Sequence, residues 1–196
     1  YEKARHLLER SQAIRETALG PHHPDTALGR NNLAGLFDLL GEYDQAKPLY
    51  EQSLADLEKS LGPRHPHVAA CLANLASVDA SMGDVQAAMA MLERSIGIWE
   101  QARGPENEDV ARPLHNLALL QYAQGDYAQA GKLLERARRI LETALPEGHP
   151  LLATVENSQA AISVAEGRLA LAKAQNEHVL ALREKVLGPR HLETAI

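Results

Sequence analysis

The stretch Leu61-Gly62-Pro63-Arg64-His65-Pro66 decides the fold, because related versions of it recur along the chain at one fixed interval. Successive versions are 42 residues apart, and they begin at Leu19, Leu61, Arg103, Leu145 and Leu187. A fixed period of this size indicates a stack of repeated structural units, each in contact mainly with its neighbours. The length of 196 residues therefore counts repeats rather than separate globular cores.

Composition favours helices. Apolar residues make up 45% of the chain but aromatic residues only 4%, and the sparse β-branched and aromatic residues are too few for a sheet protein. The net charge of −6 is spread along the chain without a basic stripe, which argues against nucleic acid as a partner, although ordinary solubility would look the same.

The cellular compartment is predicted from the cysteine content and from the absence of a membrane span and a signal peptide. Cys71 is the single cysteine, so it fits a reducing compartment or a protein indifferent to redox state. No apolar run approaches the roughly 18 residues that a membrane span needs, and no signal peptide is visible. We expect a cytoplasmic protein without a membrane partner. The chain opens in mid-helix at Tyr1-Glu2-Lys3-Ala4, which predicts a piece cut from a longer array.

Two helices are predicted between successive copies of the phrase, because apolar residues recur there at helical spacing and a glycine separates the two runs. Proline after the glycine of the phrase forbids continuation of the helix before it. First helices are predicted over 24–40, 66–82, 108–124 and 150–166. Second helices are predicted over 43–60, 85–102, 127–144 and 169–186, with a lone second helix over 2–18.

The predicted fold is all-α: a right-handed α-α superhelix, or solenoid, of antiparallel helix pairs with about nine helices. We predict a single array over 1–196. It consists of a lone second helix (1–19), four repeats (24–61, 66–103, 108–145 and 150–187) and the start of a further repeat (188–196). Pro113 predicts that the third first helix starts late, near Ala111, or is kinked. In the fourth pair Ser158-Gln159 replace the Asn-Leu of the earlier repeats and Gln175-Asn176 replace two apolar residues, so we expect weaker packing and more mobility there.

These residues resemble the tetratricopeptide repeat. The pattern comprises Arg30, Leu33, Ala34 and Phe37 in a first helix, then Gly41, Tyr43, Ala46 and Tyr50 in the next. The 42-residue unit, with Leu-Gly-Pro-x-His-Pro between repeats and Asn-Leu-Ala inside first helices, is similar to the kinesin light chain subclass. The resemblance implies that the first helices line a concave groove that binds a peptide or helical segment of a partner protein.

The resemblance also implies candidate groove residues. The Asn of Asn-Leu-Ala, which can clamp a peptide backbone through its donor and acceptor, falls at Asn32, Asn74 and Asn116. Neighbouring candidates are Asn31, Arg112, His115, Tyr122 and Asn157, of which Arg112, His115 and Tyr122 form the predicted hot patch. Arg30 is expected near the groove edge. The alternative is that the asparagines only hold the stack together and that Tyr122 packs against the next pair.

The sequence contains no arrangement of residues that indicates catalysis or metal binding. Most histidines belong to the phrase and recur one repeat apart, which favours a role at helix starts over metal ligation. Cys71 and Trp99 are expected to be buried. We therefore predict a non-catalytic protein-interaction scaffold without a cofactor; the alternative is a sensor or regulatory repeat domain of a larger signalling or effector enzyme. Self-association through uncapped terminal helices is a further prediction.

Overall fold

The computed structural model describes residues 1–146 and 148–188, and within these ranges every regular element is helical. The all-α fold of consecutive helix pairs is confirmed. The chain divides into two compact units, Tyr1–Pro105 and Glu106–Ile196, here called unit 1 and unit 2. Of the predicted start of a further repeat over 188–196, residues 189–196 lie outside the described residues.

Unit 1 contains five helices whose bounds agree with the predicted ones to within one residue. They are α1 (Glu2–Leu19), α2 (Pro24–Leu39), α3 (Tyr43–Leu61), α4 (Pro66–Ser81) and α5 (Val85–Arg103). Each helix packs against the next along the chain through α4, and α4 pairs with α5. Two first helices, α2 and α4, also touch each other directly, as the stacking of repeats requires.

Unit 2 repeats the plan with an altered start. A 3-10 helix over Glu108–Val110 precedes the α-helices, which are α6 (Ala111–Ala123), α7 (Tyr127–Ala144), α8 (Pro150–Ala165) and α9 (Leu169–Leu187). The late start near Ala111 is therefore confirmed. It places Pro113 in the first turn of α6, where a missing backbone N–H breaks no intrahelical hydrogen bond.

The repeated phrase acts as a helix stop followed by a helix start. Gly62 has a φ of 91°, a left-handed conformation that favours glycine, and Pro66 occupies the first turn of α4. The backbone N–H of His67 donates to Nδ1 of His65 over 3.1 Å, so the imidazole caps the helix. The histidines at the starts of α2 and α8 cap in the same way. The predicted role of the phrase histidines at helix starts is confirmed at these three positions.

Small side chains allow the paired helices to approach. Ala46, Ala88 and Ala130 in the second helices are fully buried, and the large side chains one turn later along the same face are buried with them. Trp99 and Cys71 are buried as predicted, and burial raises the pKa of the Cys71 thiol to about 12. Among the described residues no helix is both long and apolar enough to cross a bilayer.

Candidate functional site

A groove lies between α6 and α8, the two first helices of unit 2, and encloses about 260 Å³. Spacings of three and four residues bring side chains from one face of each helix into it, and Leu134 of α7 closes the floor. Its lining comprises Ala118, Leu119, Tyr122, Leu134, Thr154, Asn157, Ser158, Ala161 and Ile162. This surface is called the α6–α8 groove below.

The α6–α8 groove is mostly apolar with a few polar groups. Leu119 is 43% exposed and presents apolar surface to the groove. The Tyr122 ring is supported by the Tyr127 ring, with centroids 5.4 Å apart in a tilted arrangement. The half-buried Asn157 contributes an amide that has both a donor and an acceptor. The groove therefore has the composition of a site that takes an apolar side chain together with a hydrogen-bonding backbone.

A polar bond joins α6 to α8 beside the groove. Nε2 of His115 lies 2.9 Å from Oγ of Ser158, whose hydroxyl donates to the Thr154 carbonyl oxygen over 3.1 Å. Because the single hydroxyl proton is used in that bond, Nε2 of His115 is the donor. Burial lowers the pKa of His115, which keeps the ring neutral. His115 of the predicted hot patch is only 8% exposed, and its bond to Ser158 joins the two helices.

Unit 1 has a matching bond between its first helices. Nδ2 of Asn74 donates to Oδ1 of Asn31 over 3.4 Å, and both side chains are half-buried. In each unit the two bonded residues are 43 positions apart in sequence, which is one repeat plus one residue. Unit 1 differs at the floor, because the Tyr50 hydroxyl reaches to 3.3 Å from where a Cβ on Gly35 would stand. The corresponding residues of unit 2, Leu134 and Leu119, leave the groove open.

The structure separates the predicted site residues into three groups. Tyr122 and Asn157 line the α6–α8 groove, whereas Asn31, Asn74 and His115 form bonds between first helices. Three others do not belong to the groove lining: Asn32 and Arg112 are exposed, and Asn116 is half-buried. Binding by any of these residues remains a prediction. Sequence reasoning missed the floor residue Leu134, although its position repeats Tyr50.

Arg30 does not lie at a groove edge as expected. It is 6% exposed, and its Nη1 donates to Oδ2 of Asp56 on α3 over 2.8 Å while Nη2 donates to the Pro21 carbonyl oxygen over 3.0 Å. Asp56 also meets Nδ1 of the exposed His22 at 2.8 Å. The buried carboxylate draws the guanidinium inward, because a paired charge is far less costly to bury than an isolated one.

Residues 1–146 and 148–188 contain no cluster of side chains with the geometry of a metal site. No three His, Cys, Asp or Glu side chains come together there as the ligands of an ion would.

Family models of the tetratricopeptide repeat match residues 1–59, 39–101, 69–143 and 160–193. The chain belongs to the tetratricopeptide repeat family. The predicted similarity to kinesin light chain-like repeats is confirmed by two solved structures. One protein, described as a kinesin light chain with nearly identical TPR-like repeats from Podosopora anserina, is 29% identical with a TM-score of 0.72, over 94% of this chain and 87% of that one.

A second solved structure, BtubC (BKLC) from P. vanneervenii, is 25% identical with a TM-score of 0.81 and covers 95% of this chain and 74% of that one. A Rap protein complexed with competence and sporulation factor is 15% identical with a TM-score of 0.78, covering 97% of this chain and 55% of that one, and it shows the fold alone. No curated protein matches the chain in sequence.

Proposed function

We propose that this chain is a non-catalytic, cytoplasmic scaffold that holds a peptide or helical segment of a partner protein in the α6–α8 groove. The tetratricopeptide repeat fold supports protein interaction in general. The observation that carries the finer proposal is the groove itself, an open and mostly apolar channel between two first helices. The resemblance to the family implies that first helices line the surface that binds partners.

The size and chemistry of the groove favour a protein segment over a small molecule. Its volume of about 260 Å³ is below the roughly 300–1,000 Å³ of small-molecule sites. An apolar side chain of the partner would lie between Leu119 and Ala161, and the Asn157 amide would bond the adjacent backbone of the partner. Burial of Leu119 would supply affinity, and the amide would fix the direction of the segment.

The experiment starts from a peptide selected on the intact chain from a displayed random library and labelled for fluorescence anisotropy. Ala161→Trp fills the groove with a large side chain, so we expect affinity to fall about tenfold or more. Asn157→Ala removes the amide and should weaken binding by a smaller factor, because one neutral hydrogen bond contributes about 1 kcal/mol.

The matched control is Ser77→Trp, since Ser77 occupies the same repeat position in unit 1 as Ala161 does in unit 2. Ser77 is exposed, so the control adds the same side chain without entering the α6–α8 groove. Helical circular dichroism verifies that all variants fold. Equal loss of binding in both Trp variants, or unchanged binding in Ala161→Trp, would contradict the proposal.

A further inference from the structure

Three of the four first helices begin at a histidine that caps the helix through an unprotonated ring nitrogen. In each case the backbone N–H two residues later donates to Nδ1: Asp25 to His23 over 3.2 Å, His67 to His65 over 3.1 Å and Leu151 to His149 over 3.2 Å. Because a backbone N–H is always the donor, Nδ1 is the acceptor and carries no proton in each ring. The three caps therefore exist only while these nitrogens are unprotonated.

The remaining start of a first helix has the same cap without a titratable group. Oδ1 of Asn107 accepts from the backbone N–H of Asp109 over 3.1 Å, at the repeat position where the other three have histidine. A side-chain amide keeps its charge of zero between about pH 5 and about pH 8, whereas histidine ordinarily changes charge in that interval. Equivalent positions of the four repeats thus carry three titratable caps and one that does not titrate.

Protonation of Nδ1 is unfavourable at a helix start for two reasons. The imidazolium ring has two N–H donors and no acceptor, so the hydrogen bond from the backbone N–H is lost. The new positive charge also lies at the positive end of the helix dipole. The unfolded chain takes up the same protons without losing a bond, so it binds more protons than the folded chain. Stability from the caps must therefore fall as pH falls.

The groups around His65 do not compensate for a positive charge on its ring. The centroid of the His67 ring lies 5.0 Å from that of His65. Partial burial, the neighbouring His65 and the charge of Arg103 on α5 lower the pKa of His67, and Asp25 on α2 has the smallest effect, in the opposite direction. The exposed Arg64 adds a further positive charge next to His65 in the chain. This neighbourhood therefore disfavours an additional proton.

The carboxylate of Glu58 on α3 is already paired at the start of α4. Nη2 of Arg94 on α5 lies 2.6 Å from Oε1 of Glu58 and donates to the Pro63 carbonyl oxygen over 3.2 Å. Within the described ranges His65 forms no ion pair of its own. A protonated His65 would therefore lose its cap without gaining a carboxylate.

Nearby carboxylates modify the effect at the starts of α2 and α8. Nδ1 of His23 lies 3.9 Å from Oδ2 of Asp25, so an exposed ion pair offsets part of the lost cap, while the adjacent His22 is paired with Asp56. In α8, burial raises the pKa of Glu156, so this carboxyl stabilises unit 2 as pH falls and opposes the loss of the cap. The helix α4 therefore shows the effect of its cap most directly.

We infer that the histidine caps form a pH-sensitive switch, in which acid releases the first turns of α2, α4 and α8 while the 3-10 helix before α6 stays capped. The switch depends on a ring nitrogen that acts as an acceptor, and its period is the 42-residue repeat. It is independent of any ligand, because each cap joins residues of the same helix start.

Hydrogen exchange of the intact chain, measured for single amides by NMR, tests the switch. Protection factors, which correct each rate for the intrinsic exchange at that pH, are compared at about pH 8 and about pH 5. We expect the protection of the His67 amide to fall about fivefold in acid, the equivalent of roughly 1 kcal/mol for one cap. The Asp109 amide, which donates to Asn107, should keep its protection.

Two kinds of variant separate the cap from other titrating groups. His65→Asn installs the cap that the chain itself uses at residue 107, and His65→Ser installs another favoured cap that does not titrate. With either, the amide of residue 67 should stay protected at about pH 8 and lose its pH dependence. The matched control is His67→Gln, which removes the neighbouring imidazole, leaves the His65 cap in place and should keep the fivefold fall. Helical circular dichroism verifies that each variant folds.

Four outcomes overturn the inference. The first is a protection of the His67 amide that does not change between about pH 8 and about pH 5. The second is an equal pH dependence in the wild type, His65→Asn and His65→Ser. The third is loss of the pH dependence in His67→Gln, which would assign the titration to His67. The fourth is an equal fall for the His67 and Asp109 amides, which would indicate general loosening in acid rather than release of the histidine caps.

Discussion

In the first helix pair of unit 1, Arg30 and Asp56 meet as a buried ion pair, whereas unit 2 has Leu114 and Ile140 at the corresponding positions. The second pair of unit 1 already uses the apolar version, with Leu72. Both versions fill the same space between a first and a second helix. The comparison teaches that the 42-residue repeat fixes which positions meet and leaves open whether they meet as charges or as apolar groups.

A second difference concerns buried hydroxyls. Ser53 and Ser95 of unit 1 donate to the backbone carbonyl oxygens of Ala27 and Ala69 over 2.7 and 2.8 Å. The same position in unit 2 holds the apolar Ala137 in α7. In unit 1, therefore, a hydrogen bond from a buried serine hydroxyl joins the two helices of each pair, and the pair α6 and α7 of unit 2 lacks this bond. The α6–α8 groove is lined by Leu134 of α7 and by residues of α8, so the candidate binding surface lies beside the helix that lacks the buried hydroxyl.

The largest expected effect comes from breaking the ion pair. Arg30→Ala leaves the Asp56 carboxylate mostly buried with only the exposed His22 beside it, so unit 1 should lose about 3 kcal/mol of unfolding free energy. Hydrogen exchange of the α2 and α3 amides measures the loss within unit 1.

The control for this prediction is the double variant Arg30→Leu with Asp56→Ile, which recreates the apolar version of the pair. We expect it to be as stable as the wild type or more so, because replacing both charges leaves none unpaired. A single variant that costs under about 1 kcal/mol would contradict the buried pair.

Unit 2 offers the reverse experiment at Glu156, which occupies the repeat position of Arg30. Oε2 of Glu156 is buried without a hydrogen bond among the described residues, and Oε1 lies 4.0 Å from Nε2 of the exposed His178. Glu156→Leu should stabilise unit 2 by about 2 kcal/mol, because it matches Leu72 and Leu114 and removes a buried carboxylate. Hydrogen exchange of the α8 amides measures the gain.

The pH dependence gives an independent check on Glu156. Burial raises the pKa of this carboxyl above its ordinary value of 4.5, so the folded state binds a proton that the unfolded state releases. Stability from this group must therefore increase as pH falls from neutrality through the raised pKa toward 4.5. Glu156→Gln should lack this increase in α8 protection, and an unchanged pH profile would contradict the prediction.

How much of this could be read from the sequence depends on how local the cause is. Helix bounds were predictable because Gly62, Pro66 and the capping histidines act on their own backbone. The inward position of Arg30 in α2 was not predictable, because it depends on Asp56, which lies on α3. The same holds for His115, whose partner Ser158 is one repeat away.

The α6–α8 groove was also beyond sequence reasoning. It results from a pair of side chains, Leu119 and Leu134, that leave the space between them open, and a missing contact has no signature in either residue alone. Comparison of repeat positions supplies the signal: Leu134 stands where unit 1 has Tyr50, and Gly131 where it has Lys47. The groove asparagines were predicted from the family resemblance, and the structure adds that one of them, Asn74, and two of their neighbours, Asn31 and His115, form bonds between first helices.

A smaller effect tests the buried hydroxyls. Ser53→Ala should cost unit 1 about 1 kcal/mol, because one buried hydrogen bond to the Ala27 carbonyl oxygen is lost. Denaturant unfolding followed by exchange protection of α2 and α3 measures it. Ser60→Ala, in which an exposed hydroxyl bonds its own helix, is the matched control and should change stability by less than about 0.5 kcal/mol. Equal costs in the two variants would refute the role of the buried bond.

The smallest expected effect concerns Gly131, where the two units differ most simply. Gly131→Ala should stabilise unit 2 by about 0.5–1 kcal/mol, because a methyl group meets nothing and the helix gains propensity. Gly20→Ala, at a φ of 90°, should instead destabilise unit 1, since that conformation is strained for alanine. If Gly131→Ala raises exchange protection of α7, the glycine is not required by packing. A loss of α7 protection in Gly131→Ala would show that a side chain is excluded there by close approach, and the comparison with Lys47 would fail.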